Sequence, residues 1–159
     1  MPFYNRKHMR LKDYDYGLAG VYFITICTKD RKNLFWRDLT PLNIYSHPDI
    51  KLNKYGGIVK EVWLNSEKVY DDVMLDAYAI MPNHFHGIIV KEKGGKRTIG
   101  NIIGQFKSIV VKKIHEYDPH LEVWQRDYNE HVLREKEAGK IQYYVINNPY
   151  KFSDDKYYI

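Results

Sequence analysis

Two histidines, His84 and His86, stand one residue apart at the start of an apolar, β-branched segment. Side chains two residues apart on a strand leave the same face, so both imidazoles point to one place while Phe85 points into the opposite layer. Ile88 and Val90 continue the histidine face, which predicts that another layer of the protein covers it. Buried imidazoles need partners, and two on one rigid face are half of a divalent metal site. The alternative is two polar residues on the solvent face of a half-exposed strand.

A second group of candidate residues lies near the C-terminus, within residues 140–149. Tyr144 and Asn148 are four residues apart, so on a helix they share one face. The amide oxygen of Asn148 is a hard ligand suited to Mg²⁺ or Mn²⁺. A helix packed across the histidine face would bring Asn148 to the metal and Tyr144 beside it. The alternative is a tyrosine at a helix edge and an asparagine that ends the helix before Pro149.

The elements that position these residues follow from the spacing of apolar side chains. Strand-like segments are predicted at residues 21–28, 73–81, 84–90 and 123–128. Helical spacing predicts helices at residues 55–69 and 98–117. Residues 135–147 are predicted as a last helix, which Pro149 ends. This order is that of a ferredoxin-like βαββαβ domain of the α+β class, with a central antiparallel sheet and an additional C-terminal helix that carries Tyr144.

Length and composition favour a single domain over residues 1–159, with residues 1–20 as a basic arm and residues 29–53 as an inserted loop. The net charge of +5 and the 15 tyrosines suit an anionic partner with bases to stack on. Cys27 is the only cysteine, which excludes a disulfide framework and a multi-cysteine zinc site. We find no signal-peptide core and no segment of membrane-spanning length, so we expect a cytoplasmic protein with no membrane partner.

Four segments of the chain resemble the single-tyrosine HUH transposases, and three of them resemble the REP-associated branch of that family. The segments are residues 81–86 (MPNHFH), 102–108 (IIGQFKS), 124–134 (WQRDYNEHVLR) and 144–149 (YVINNP). They occur in the same order and at similar spacing as in the family, and the resemblance as a whole runs from about Val21 to Pro149.

The resemblance implies a DNA transposase that cuts and rejoins single-stranded DNA near hairpins through a 5′-phosphotyrosine intermediate. It makes Tyr144 the nucleophile and His84, His86 and Asn148 the ligands of Mg²⁺ or Mn²⁺. No nucleotide cofactor is expected, because the covalent intermediate conserves the phosphodiester energy. If the match to the family were shifted by one residue, Tyr143 would be the nucleophile and Asn147 the ligand. We choose Tyr144 because the family places the tyrosine four residues before the asparagine of the Asn-Pro pair.

Contacts with DNA are expected from basic and aromatic side chains around this site. The candidates are Arg97, Lys107, Lys112, Trp124, Arg126, Tyr128, His131 and Arg134. The cations would bind backbone phosphates, and the rings of Trp124 and Tyr128 would stack on unpaired bases. The alternatives are a solvated charged face for the cations and core packing for the rings, especially for Trp124. We assign no chemical step to His131 or Arg134.

Two other functions remain as alternatives. A catalytically silent, domesticated protein that holds DNA hairpins would need no reactive tyrosine. A histidine-triad nucleotide hydrolase would need a third histidine, but Ile88 stands at that position. Family members act as monomers or as homodimers that exchange the tyrosine between subunits, and the sequence leaves both arrangements open.

Overall fold

The computed structural model describes residues 19–92 and 97–154, so residues 1–18 of the predicted basic arm lie outside the described residues. The strands of the described part are β1 (Ala19–Cys27), β2 (Val73–Ile80), β3 (His84–Glu92) and β4 (Asn129–Leu133). Its α-helices are α1 (Lys54–Val69), α2 (Ile99–Ile114) and α3 (Glu135–Asn147). Short 3₁₀ turns occupy Lys29–Arg31, Pro48–Lys51 and Asn148–Asp154.

The strands form one antiparallel sheet in the order β2-β3-β1-β4. With α1 between β1 and β2, and α2 between β3 and β4, this is the predicted ferredoxin-like arrangement, and the fold class is confirmed. The central pair β1 and β3 places Thr25 opposite His86 and Cys27 opposite His84. Both histidines therefore lie near the middle of the sheet rather than at an edge.

One face of the sheet is covered by α1 and α2. Phe85 packs against Trp63 of α1, with ring centres 4.6 Å apart, and against Phe106 of α2 at 5.4 Å. Each of these helices begins at a polar cap: the side chain of Asn53 accepts a hydrogen bond from the Gly56 amide, and Thr98 caps α2 in the same way. Helix α3 packs on the other face, against β2 and β3. Phe85 and the histidines thus point into different layers, as the alternation along a strand predicts.

The prediction of a strand at residues 123–128 is wrong. Val123 and Trp124 are buried and gave the segment its apolar character. The segment instead runs beside the end of β1, where the Gln125 amide donates to the Cys27 carbonyl at 2.9 Å. The strand itself is Asn129–Leu133, an edge strand with only Leu133 buried, so it lacks the alternation that would have revealed it.

The predicted loop at residues 29–53 is anchored to the core. The Phe35 side chain is fully buried, and the Trp36 indole N–H donates to the Ile80 carbonyl at 2.8 Å. Cys27 is buried, as its apolar surroundings predict. Of the helices within the described ranges, none has the length and apolar character needed to cross a membrane.

Candidate active site at the histidine pair

His84 and His86 lie side by side on the sheet face that α3 covers. Their ring centres are 4.7 Å apart, and the two residues are 0% and 1% exposed. The covering layer that the sequence predicts is confirmed, and a half-exposed strand is excluded. Two imidazoles are therefore held together in an environment where each needs a defined polar partner.

The Nδ1 atom of each imidazole is held by a neighbouring side chain. His84 Nδ1 lies 2.8 Å from Oδ1 of Asn83, and His86 Nδ1 lies 2.8 Å from the Thr25 hydroxyl oxygen. In the tautomer that donates Nδ1–H to these oxygens, each ring carries its lone pair on Nε2, the atom that binds a metal in such sites. Thr25 and Asn83 were not among the site residues expected from the sequence, although Thr25 lies opposite His86 once β1 and β3 are paired.

Tyr144 approaches the pair from α3. Its ring centre lies 5.6 Å from that of His86 and 6.3 Å from that of Phe23. Tyr144 is 40% exposed, so its side chain is accessible from solvent beside the buried imidazoles. The structure thus brings the proposed nucleophile and one of the proposed ligands together within one chain.

The alternative pair, Tyr143 and Asn147, has a different geometry. Tyr143 is rotated by about 100° around the helix axis from Tyr144. The side-chain amide of Asn147 donates to the Tyr143 carbonyl at 2.7 Å, which is a bond within the helix. The contact with His86 therefore favours Tyr144 over Tyr143 as the tyrosine of the site.

Asn148 follows Tyr144 by one helical turn and is buried. It begins the 3₁₀ turn Asn148–Asp154, which passes the other histidine, since the ring centre of Phe152 lies 6.5 Å from that of His84. Asn148 therefore lies in the chain between a residue that contacts His86 and one that contacts His84. Within residues 19–92 and 97–154, no three His, Cys, Asp or Glu side chains are grouped to bind a metal. A metal at the histidine pair would thus need a ligand of another type, such as this amide.

A buried polar contact fixes α3 to the sheet. The side-chain amide of Gln142 donates to the carboxylate of Asp76 in β2. The pairing of β2 with β3 shifts between Leu75 and Tyr78, and this bulge directs Asp76 towards α3. Because Gln142 precedes Tyr144 by two residues, this contact helps to set the position of the phenol. No pattern in the sequence indicates this contact, since a bulge depends on how two strands pair.

Lys107 is placed differently from what the sequence suggested. Its ammonium donates to the backbone carbonyls of Gln125 at 2.8 Å and Arg126 at 3.0 Å. Burial lowers the pKa of this lysine, and the nearby Asp127 carboxylate works in the opposite direction. Lys107 thus supports the loop that presents Arg126 to solvent, instead of presenting its own charge there.

The two candidate rings also differ from each other. Trp124 is buried and packs against Phe35, with ring centres 5.3 Å apart, so core packing is the alternative that the structure shows. Tyr128 is partly exposed, and its hydroxyl donates to Glu130 at 3.1 Å. Burial and the Glu130 carboxylate raise the pKa of this phenol.

The remaining cations fall into two groups. Arg97 lies over the ring of Tyr70 at 5.0 Å, and Lys112 is exposed near the end of α2. Both therefore lie with α1 and α2, on the sheet face opposite the histidines. His131, in contrast, pairs across the sheet with Phe23, the residue that contacts both His86 and Tyr144.

Arg134 lies just beyond β4, where its backbone N–H donates to the Glu137 carboxylate at 3.0 Å. The same carboxylate lies 3.8 Å from His131 Nε2. The structure thus brings His131 and Arg134 to the edge of the histidine site.

Solved structures of known proteins include one with this architecture: the REP-associated tyrosine transposase bound to a REP hairpin. It aligns with 93% of this chain and 77% of its own, at a TM-score of 0.60 and 16% identity. The chain therefore has the fold of a REP-associated tyrosine transposase, and the resemblance seen in its sequence is confirmed at the level of the fold.

Among curated proteins, an uncharacterized protein of Haemophilus influenzae is 34% identical over 177 residues, which span 98% of this chain and 94% of that protein. The chain belongs to the same family as this Haemophilus protein. No family model matches the chain.

Proposed function

We propose that this chain is a metal-dependent tyrosine transposase that cuts and rejoins single-stranded DNA near hairpins. The observation that carries the proposal is the position of the accessible Tyr144 phenol, 5.6 Å from the buried His86 imidazole. The fold shared with a REP-associated tyrosine transposase supports the same class of reaction. A tyrosine needs an activating group beside it to act as a nucleophile near neutral pH, because its ordinary pKa is about 10.

The donor set suits Mg²⁺ or Mn²⁺. Nε2 of His84, Nε2 of His86 and the amide oxygen of Asn148 would hold the ion, and a donor set of two imidazoles and an amide favours such ions over structural zinc, which prefers thiolate. Three protein ligands leave positions for water and a phosphate oxygen. When bound, the ion would polarise the scissile phosphate and offset the negative charge that builds up on it.

The reaction of the chain itself takes place at Tyr144. Its phenolic oxygen gives its proton to water and attacks the phosphorus, the bond from phosphorus to the 3′ oxygen breaks, and the departing oxygen takes up a proton. The products are a 5′-phosphotyrosine and a free 3′-hydroxyl. Attack by a 3′-hydroxyl on the phosphotyrosine restores a phosphodiester and releases Tyr144, so strand joining needs no nucleotide cofactor.

The substrate is a single strand that carries a hairpin. The similar REP-associated transposase is bound to a REP hairpin, and this chain has a net charge of +5. Arg126, His131 and Arg134 are exposed near the site and would contact backbone phosphates.

A covalent trapping experiment tests the proposal. The protein is incubated with an end-labelled hairpin oligonucleotide and Mg²⁺ or Mn²⁺, and adducts are separated on denaturing gels. We expect an adduct that Tyr144→Phe abolishes. Tyr143→Phe is the matched control, since it makes the same change at a neighbouring residue of similar exposure, 43% against 40%, and it should retain the adduct.

Other results would identify a different function. An adduct that survives Tyr144→Phe, or disappears with Tyr143→Phe, contradicts the assignment of the nucleophile. Hairpin binding without any adduct indicates a catalytically silent binding protein. Nucleotide hydrolysis that is unaffected by Tyr144→Phe indicates a histidine-triad hydrolase.

The contact between Tyr144 and His86 lies within one chain, which supports cleavage by a single subunit. Mixing Tyr144→Phe with His86→Ala protein tests this arrangement. We expect no adduct from the mixture, because neither chain has a complete site. Recovery of the adduct would show that a homodimer exchanges its tyrosines.

A further inference from the structure

Immediately after β1, the chain forms a turn rich in positive charge next to His84. We call residues 29–32 the basic turn; they are Lys29, Asp30, Arg31 and Lys32. The residue before it, Thr28, donates to the Asn83 carbonyl from both its backbone N–H and its hydroxyl, each at 3.0 Å. The Asn83 side chain in turn holds Nδ1 of His84 at 2.8 Å. Asn83 therefore connects the basic turn directly to a proposed metal ligand.

Two consecutive residues of the basic turn have left-handed backbones. Asp30 has φ of 54° and Arg31 has φ of 53°. Aspartate tolerates this region, but arginine does so at a cost in stability. Such conformations persist where the surroundings enforce them, and they cluster at binding sites.

The surrounding hydrogen bonds enforce this conformation. The Thr28 hydroxyl oxygen also lies 2.8 Å from the Lys32 carbonyl oxygen, so its one proton is shared between this carbonyl and that of Asn83, and the Arg31 amide donates to the Thr28 carbonyl at 3.1 Å. As a result, the side chains of Asp30, Arg31 and Lys32 are all exposed to solvent.

The basic turn is also joined to the segment that carries Arg126. The Lys29 amide donates to the Val123 carbonyl at 2.9 Å, and the Gln125 amide donates to the Cys27 carbonyl at 2.9 Å. Arg126 follows directly and is exposed. Two joined segments thus carry four cations and two carboxylates, Asp30 and Asp127, at the end of β1 where Cys27 lies opposite His84. The three cations of the basic turn were not among the DNA contacts expected from the sequence.

We propose that the basic turn binds the phosphate backbone of the DNA strand that flanks the scissile phosphate. This inference rests on the proposed function, and it adds the path of the strand. Tyr144 lies beside His86, while the basic turn lies beside His84 through Asn83. A strand with its scissile phosphate at the histidines therefore passes from Tyr144 towards the basic turn.

Binding measurements without metal test the phosphate contact. We expect Arg31→Gln with Lys32→Gln to weaken binding of a fluorescent hairpin oligonucleotide about 25-fold near 0.1 M salt, about fivefold per contact. The slope of log affinity against log salt should fall by about 1.4, which corresponds to about two lost contacts with a single strand.

The matched control is Lys68→Gln with Lys113→Gln. It removes the same charge from the groove between α1 and α2, on the opposite face of the sheet. The control should leave the affinity within about twofold and the salt slope unchanged. Equal losses in both double variants, or no loss in the basic-turn variant, would overturn the inference.

The left-handed conformation of Arg31 provides a second test, in which one substitution should raise thermal stability and weaken DNA binding. Arg31→Gly relieves the backbone, so we expect thermal unfolding a few degrees higher, together with about fivefold weaker DNA binding. Arg31→Lys should bind with nearly the affinity of the original protein. Full affinity in Arg31→Gly would show that the arginine does not contact DNA.

The inference and the proposed function can fail separately. If Tyr144 forms its adduct while the basic-turn variants bind DNA normally, only the inference is wrong. If no adduct forms but the salt slope still falls in those variants, the basic turn is a nucleic-acid contact and the proposed chemistry is wrong.

Discussion

The phenol of Tyr144 lies 5.6 Å, ring centre to ring centre, from the imidazole of His86, although one belongs to α3 and the other to β3. The two residues differ sharply in exposure, at 40% and 1%. An accessible phenol is thus placed beside an imidazole that water barely reaches. The relationship depends on the partners that hold each side chain, and these partners can be changed one at a time.

Thr25 holds His86 through its hydroxyl, 2.8 Å from Nδ1. Thr25→Val removes that hydroxyl while keeping a β-branched side chain at a buried strand position. Because partners of this kind orient a ligating imidazole, we expect Mn²⁺ affinity to fall about 10- to 100-fold, with folding retained. Calorimetric titration with Mn²⁺ measures the loss, and Thr25→Ser is the control that keeps the hydroxyl. Unchanged affinity in Thr25→Val would contradict this role.

Gln142 holds α3 through the Asp76 carboxylate. We expect Gln142→Leu to lower the free energy of unfolding by about 1–3 kcal/mol, because a buried hydrogen bond to a charged group is lost. Urea unfolding measures the change, and the exposed Lys140→Ala on the same helix should stay within about 0.5 kcal/mol.

A double-mutant cycle shows whether this effect belongs to the contact itself. Combining Gln142→Leu with Asp76→Ala should give a coupling energy of about 0.5–3 kcal/mol. In the single variants, the rate of adduct formation should fall more than DNA affinity, since Tyr144 moves with α3. Additive effects of the two substitutions would show that the contact does not position the helix.

The sequence was sufficient to predict where the long helices of this fold lie. The predicted helix at residues 135–147 has the bounds of α3, and the helix predicted from residue 55 begins one residue earlier as α1. Helix α1 buries Val59, Val62 and Trp63 on one face, which gives it regular apolar spacing, whereas Pro149 indicates where α3 ends. The edge strand β4 buries a single side chain and gave no comparable signal, which is why the prediction fell on the buried residues before it.

The details of the site depend on contacts between distant residues. Spacing alone offered both Tyr143 and Tyr144, and only the packing of α3 shows which one approaches His86. The charge of Lys107 suggested a DNA contact, but its ammonium is bound by two backbone carbonyls that the sequence could not place. The left-handed conformation of Arg31 was equally hidden, since no glycine marks it.

Acid should destabilise the folded protein at the start of α3, where Glu137 accepts a hydrogen bond. The backbone N–H of Arg134 donates to the Glu137 carboxylate and lowers its pKa below 4.5, and the charges of Arg134 and His131 act in the same direction. A carboxyl whose pKa is lowered by folding stabilises the folded state above its ordinary pKa, and this contribution is lost as pH falls through the lowered value. We therefore expect stability to decline below pH 4.5.

Glu137→Gln isolates this contribution. The variant should be less stable than the original protein near neutral pH, and it should lose less stability on acidification from about pH 6 to about pH 3. Thermal unfolding across that range provides the comparison. Parallel stability curves for the two proteins would show that Glu137 does not cause the acid sensitivity.

Gly87, between His86 and Ile88, tests how tightly the helix layer supports the histidine strand. A Cβ at this position would lie 2.6 Å from Cζ2 of Trp63 and 2.8 Å from Cε1 of Phe85. Because both rings are fully buried, neither can move away freely, and we expect Gly87→Ala to cost about 1–3 kcal/mol of unfolding free energy. Gly104→Ala is the matched control: it lies inside α2 with nothing within 4 Å of the added carbon, so it should gain about 0.5–1 kcal/mol. Urea unfolding of both variants measures these changes. Equal stability of Gly87→Ala and the original protein would show that the Trp63 ring can move to accommodate the added carbon.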